Sequence, residues 1–271
     1  MTSLIDSHSH IYDKAFANDL PEVLRNAAEA GLAKVVVCGD DVPSSLAAVE
    51  MAAGHAIVVP TVGIHPHAAR EANDNAIAEI GRLAALPNVA AVGEIGLDFY
   101  RDRSPRDVQL SALEAQLNIA LEVEKPICVH SRGAEDAIAQ PLRAYADKST
   151  MPISGRPVGV MHCFGGTVEQ ARGYVDMGFL ISLACVVTYP NNDQSRRIAM
   201  EIPLSALLVE TDSPYLPPQH MRGKRNEPAL VTFAAQAIAD ARGCTLDEVA
   251  EATTKNAASL FGVEVGAESA A

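Results

Sequence analysis

Lys34-Val35-Val36-Val37-Cys38 sets three β-branched residues in a row with no polar alternation. A strand buried on both faces reads this way, and parallel strands sandwiched between helices are buried on both faces. Comparable runs lie at 4–8, 57–64, 89–95, 126–130, 158–162, 179–183 and 207–210. Amphipathic helical patterns separate them. Ser104-Pro105-Arg106-Asp107 offers an N-cap serine, a proline at the first helical position and an acid in the first turn. The helix it opens is expected to bury Val108, Leu113, Leu117 and Leu121. Thr245-Leu246-Asp247-Glu248 reads as a capping box, with Gly243 before it closing the preceding helix.

Eight strand-then-helix units in roughly 260 residues are what a closed parallel barrel needs. The expected fold is therefore α/β, a single-domain TIM-type (β/α)8 barrel over residues 1–262, with 263–271 as a loose, small and acidic tail. An open doubly wound sheet is the alternative, but no glycine-rich phosphate turn follows the first strand. At 48% hydrophobic and 20% charged residues, the 271-residue chain can fill one large core. The formal charge of −13 opposes general affinity for polyanions, so a nucleic-acid ligand needs a local basic patch. Five scattered cysteines without a C-x-x-C pair argue against a disulfide framework or a structural zinc site. The sequence shows no signal-peptide stretch and no membrane span, which leads to an expectation of a cytoplasmic protein, read as a monomer.

The histidines supply the functional signal. Of eight, six fall at or just after the ends of predicted strands: His8, His10, His65, His67, His130 and His162. In a barrel those ends share one rim, where such folds carry their active sites. His8 and His10 are two apart on a strand and point to one face, with Asp6 on the same face as a group that could orient them. Glu94 ends a buried strand between Gly93 and Gly96, and a buried glutamate is rare unless paired or metal-bound. Asp212 follows the last strand in Glu210-Thr211-Asp212-Ser213-Pro214. Each residue alone also fits an ordinary core or loop side chain. Together, imidazoles and carboxylates from the ends of five strands suit Zn2+, Mn2+ or a similar ion, and they are numerous enough for two ions sharing one carboxylate.

These stretches resemble the TatD family of metal-dependent hydrolases, within the amidohydrolase superfamily. The matching segments are Asp6-Ser7-His8-Ser9-His10, Gly63-Ile64-His65-Pro66-His67, Gly93-Glu94-Ile95-Gly96-Leu97-Asp98, Val129-His130-Ser131-Arg132, His162-Cys163-Phe164 and Glu210-Thr211-Asp212-Ser213-Pro214-Tyr215-Leu216. Arg222-Gly223-Lys224-Arg225-Asn226-Glu227-Pro228 and the late Asn256-Ala257 also fit. The resemblance implies deoxyribonuclease or related phosphodiester hydrolase activity on DNA with two divalent ions (Zn, Mn or Mg). It implies that His8, His10, Glu94 and Asp212 hold one ion, and that Glu94, His130 and His162 hold the second. One segment departs: the family's small Ser-Gly pair after the seventh strand is replaced by Ser182-Leu183-Ala184-Cys185.

Asp212 is read as the general base, with Glu94 as the catalytic bridge. Arg132, Arg222, Lys224 and Arg225 are candidate phosphate contacts, the last three forming the densest basic cluster of the chain. His65 and His67 are candidate substrate contacts, with His67 the favoured one. Two alternatives remain open at this level. One is a small-molecule amide, lactone or phosphoester hydrolase on the same metals. The other is an inactive metal-binding or interaction protein.

Overall fold

The first strand, β1 (Leu4–Ser9), is buried along its whole length, and seven more strands extend the sheet beside it. A computed structural model describes residues 3–265 and orders its eight strands β1 to β8 in sequence, every neighbouring pair parallel. The others are β2 (Leu32–Cys38), β3 (Val58–Val62), β4 (Ala91–Asp98), β5 (Ile127–Arg132), β6 (Gly159–Met161), β7 (Phe179–Ala184) and β8 (Leu207–Glu210). Closure joins β1 to the end of β8: Asp212 N–H donates to His8 O at 3.0 Å and His10 N–H to Ser213 O at 2.7 Å. The expected single (β/α)8 barrel is the observed fold.

Around the strands lie α1 (Leu20–Glu29), α2 (Val42–Gly54), α3 (Asp74–Ala84), α4 (Arg106–Glu122) and α5 (Glu135–Lys148). They continue with α6 (Val168–Asp176), α7 (Asp193–Glu201), α8 (Val231–Arg242) and α9 (Leu246–Phe261). Val35, Val36, Val37 and Cys38 are fully buried, as a strand walled on both sides requires. Thr245 caps α9 with its reciprocal Glu248, and Gly243 closes α8 at φ +68°. Among the described residues, no helix is long and apolar enough to cross a membrane. Val263 and Val265 pack on the core, and the rest of the expected tail, 266–271, lies outside the described residues.

Two expectations for α4 need correction. Ser104 does not cap it; Pro105 takes the N-cap position, while the Ser104 hydroxyl donates to His67 O and accepts from Arg70 N–H. The buried face holds Leu113 and Leu117 as expected, but Val108 and Leu121 are only half-buried, and Gln109 and Gln116 are fully buried instead. Both glutamines serve strand ends. Gln116 accepts from Ile64 N–H and donates to Ile64 O, while Gln109 accepts from Asp98 N–H and donates to Asp98 O. Buried backbone groups that leave the ladder need partners, and these amides supply one donor and one acceptor each.

Candidate metal centre

The β4 segment Gly93-Glu94-Ile95-Gly96 brings the centre together. Gly96 sits at φ +148°, and any Cβ there would run into the carbonyl of His130 on β5. A Cβ on Gly93 would lie 2.5 Å from that of Cys128. Glycines on both sides of Glu94 thus let β4 press against β5, and His130 Nδ1 meets Glu94 Oε1 at 2.9 Å. Glu94 is 2% exposed.

Four other imidazoles converge on this carboxylate. His8 Nε2 and His10 Nε2 face Oε2 at 3.3 and 3.6 Å, while His162 Nε2 and His65 Nε2 face Oε1 at 3.5 and 3.4 Å. The two oxygens therefore look onto two different sets of rings. Asp212 joins the Oε2 side, with Oδ1 3.4 Å from His10 Nε2. All six residues expected as ligands are brought together.

The outer nitrogen of each ring has its own neighbour. His10 Nδ1 lies within reach of the Cys38 carbonyl at 3.0 Å and the Tyr12 hydroxyl at 2.9 Å. His8 Nδ1 lies 3.3 Å from Cys38 Sγ, His162 Nδ1 2.9 Å from Glu210 Oε1, and His130 Nε2 3.4 Å from Asp98 Oδ2. The contacts of His10 and His8 are hydrogen bonds that fix ring orientation, whereas His162 Nδ1 and His130 Nε2 are buried at ion-pair distance from their carboxylates without a hydrogen bond. His65 differs: its Nδ1 accepts from His67 N–H, so the neutral ring carries its proton on Nε2, toward Glu94.

The donor set fits a divalent cation better than it fits itself. One carboxylate offers about four lone-pair sites, yet five ring nitrogens surround it, and a second carboxylate, Asp212, adds an acceptor beside His10. His8 Nε2 and His10 Nε2 also face each other at 3.1 Å, near the separation of about 3.4 Å that two ligands of one tetrahedral zinc would have. Groups of one carboxylate or two with neighbouring histidines, such as His8–His10–Asp212 and His65–Glu94–His130, place their donor atoms within 4.8 Å of one another.

The electrostatics point the same way. Burial favours a neutral Glu94, but the surrounding imidazoles of His65, His162 and His8 hold it well below the usual carboxylate range. Burial likewise opposes charge on His130, yet Asp98 and Glu94 lift it to about 9. His162 reaches about 9 through Glu210 and Glu94, again against burial. Asp212 is also lowered: burial raises it, and His10, His162 and His8 outweigh that. The carboxylates are thus kept anionic in the form a cation needs.

Several expected contacts land elsewhere. Asp6 does not reach His8 or His10 by its carboxylate toward their rings; it accepts from Thr211 N–H at 2.8 Å and Thr211 hydroxyl at 2.6 Å, anchoring the residue before Asp212. His67 Nε2 is 2.7 Å from Asp98 Oδ2, so His65 rather than His67 faces Glu94. Arg225, expected at substrate, is engaged by Asp19 through two bonds of 2.9 and 2.6 Å, donates to Ala15 O and lies over Phe16. Arg132 stacks on the Tyr100 ring at 4.2 Å and Arg222 on Tyr189 at 5.0 Å, both with exposed guanidinium residues, and Lys224 is exposed. Cys185 turns away from the centre, its Sγ 3.5 Å from Leu230 O. Sequence reasoning assigned no role to Asp98, Asp40 or Cys38. Asp40 follows β2 just as His10 follows β1, so the same strand-end rule marks it; His10 Nδ1 is 3.5 Å from Asp40 Oδ1.

A parallel eight-stranded barrel with imidazoles gathered round a buried carboxylate at its strand ends is a metal-dependent hydrolase in architecture. Residues 5–262 match the model of the TatD related DNase family, and the chain belongs to that family. The metal-dependent hydrolase YabD of Bacillus subtilis (strain 168) is 36% identical over 258 residues, covering 95% of this chain and 98% of that protein. The 3'-5' ssDNA/RNA exonuclease TatD of Rahnella sp. (strain Y9602) is 36% identical over 256 residues, covering 91% and 93%. The crystal structure of YJJV, a TatD homolog from Escherichia coli K12, superposes with a TM-score of 0.89 at 29% identity, covering 96% of this chain and 98% of that one.

Proposed function

We propose that this protein is a metal-dependent phosphodiesterase that trims the ends of DNA. The observation that carries the reading is the position of Glu94, which faces His8 and His10 with one oxygen and His130, His162 and His65 with the other. That division supports two divalent ions, Zn2+, Mn2+ or Mg2+, with His8, His10 and Asp212 on one side, His130 and His162 on the other, and Glu94 between. Bound there, the ions supply a water of lowered pKa and polarise the phosphoryl oxygen under attack.

The chain's own groups do the rest. Asp212, ionised and beside His10, accepts the proton of the attacking water. His65 turns Nε2–H toward Glu94 Oε1 and so helps to hold that carboxylate in position. Arg132, Arg222 and Lys224 stand exposed as contacts for flanking phosphates, offsetting the charge of −13. His67 acts by holding Asp98, which faces His130. The name of the Rahnella relative, an exonuclease on single-stranded DNA and RNA, supports the substrate class. Five free cysteines suit a reducing compartment, in keeping with a cytoplasmic enzyme.

Chelation is expected to abolish cleavage of end-labelled single-stranded DNA, with recovery on adding Mg2+, Mn2+ or Zn2+. Asp212→Asn should lower kcat by about 100- to 10,000-fold with the fold retained. Equal cleavage by chelated and loaded protein rejects the reading. Hydrolysis of a lactone or chromogenic ester, with none of oligonucleotides, replaces it by a small-molecule hydrolase.

A further inference from the structure

Most of the large apolar side chains that stand exposed among the described residues are on the outer helical layer: Leu46, Met200 and Phe233 on helices and Ile153 on a short turn. Two are not. Tyr100 (67% exposed) and Tyr215 (54%) follow β4 and β8, the strands that deliver Glu94 and Asp212. Tyr215 is the one in contact with the centre, its ring centroid 6.2 Å from that of His10 and tilted by 60°.

Tyr215 is held in place before any ligand arrives. Its N–H donates to Asp212 O at 2.8 Å. Its carbonyl accepts from Asn226 Nδ2 at 2.7 Å, and the same amide reaches Thr211 O at 2.9 Å and Leu216 O at 3.3 Å. Asn226 N–H donates to Pro214 O, and Asn226 is fully buried. Leu216 adopts φ +50°, which turns the chain sharply just after the tyrosine. A buried amide therefore fixes the carbonyl of an exposed aromatic residue beside a metal ligand. His10, by contrast, is only 5% exposed, so Tyr215 is a largely open ring at the edge of a buried centre.

We propose that Tyr215 is the stacking platform for the nucleobase next to the scissile phosphate. The inference rests on the phosphodiesterase reading and specifies its substrate as a single-stranded end. A base within a duplex already has both faces covered, whereas an unpaired terminal base has a face to offer an aromatic ring. Stacking tolerates any of the bases, since each has a π-face. The rigid backbone means that little ordering is required on binding. The flexible alternative, a ring that only shields His10 from water, makes no demand on the base.

The test uses short single-stranded DNA with 2-aminopurine at either terminus, in Mg2+ and in the Asp212→Asn background, where turnover is slowed enough to read binding before cleavage. Stacking on Tyr215 should quench the fluorescence at one terminus. Adding Tyr215→Phe should preserve the quench. Adding Tyr215→Ala should remove it and weaken binding about 10-fold, with melting temperature and metal content unchanged as the control for folding. An abasic residue at that terminus should bind both forms equally. Undiminished quenching with Tyr215→Ala, or equal loss of affinity for the abasic strand, overturns the proposal. Cleavage of DNA by the parent enzyme alongside either of those results leaves the phosphodiesterase reading intact; absence of both cleavage and binding removes both.

Discussion

At the floor of the barrel, where the strands begin, Lys34, Lys125 and Arg156 line a cavity of about 430 Å3. Lys34 Nζ donates to Ala56 O, Lys125 Nζ to Ala84 O and Leu86 O, and Arg156 to Ser259 O and Leu260 O. These carbonyls lie at or beyond the C-terminal ends of α2, α3 and α9, where helices leave acceptors unpaired and carry partial negative charge. At the mouth the opposite holds. Glu94, Asp212 and the imidazoles face one another through their side chains. Charge answered by backbone steadies the fold; charge answered only by other charge is arranged for a guest.

That contrast can be broken at either end, and the mouth should give the larger effects. Glu94→Ala is expected to cost more than a thousand-fold in activity and to lower the bound metal measured by elemental analysis. An unchanged metal content would end the bridging role. Next in size is the pH response of the metal-free protein. His130 and His162 titrate near 9 in the fold against 6.5 when free. Their charge therefore stabilises the metal-free fold fully below pH 6.5, and the gain is lost as pH rises through 9. Melting of chelated protein from pH 6 to 9.5 should show a falling temperature, while metal affinity rises because protons no longer compete. A flat profile would contradict the paired imidazoles.

The floor should behave differently. Lys125→Met is expected to cost about 1–2 kcal/mol, read as a melting point about 2–8 °C lower, with kcat unchanged in the metal-loaded enzyme. A change in kcat would mean that the two ends are coupled. Arg225→Ala should have the smallest effect, about 0.5–1 kcal/mol for a partly exposed ion pair. KM for DNA should stay constant; a raised KM would return Arg225 to the substrate.

The sequence exposed this site because of one regularity: buried strands announce themselves by apolar runs, and polar residues at their ends stand out against them. Val35-Val36-Val37 and His10 are read by the same rule. The rule fails where polarity is satisfied inside the protein. Gln109 and Gln116 look like solvent-facing positions of α4, yet they are buried because strand ends after β3 and β4 leave backbone groups to satisfy. Arg225 looked free because Asp19, its partner, is over 200 positions away in the chain. Periodicity reports what is buried by being apolar; it carries no signal for distant pairs or for the choice between His65 and His67.

The seam that closes the barrel has a consequence for the protein's synthesis. His8 and His10 leave the ribosome well before Asp212, the residue that hydrogen-bonds to His8 O and joins their side of the centre. About 200 residues separate them, an interval of about 10–40 s at ordinary elongation rates of about 5–20 residues per second. A nascent chain lacks both the closing hydrogen bonds and the residue proposed as proton acceptor throughout that time. The His8–His10 side of the centre is therefore assembled only once the segment carrying Asp212 has been made.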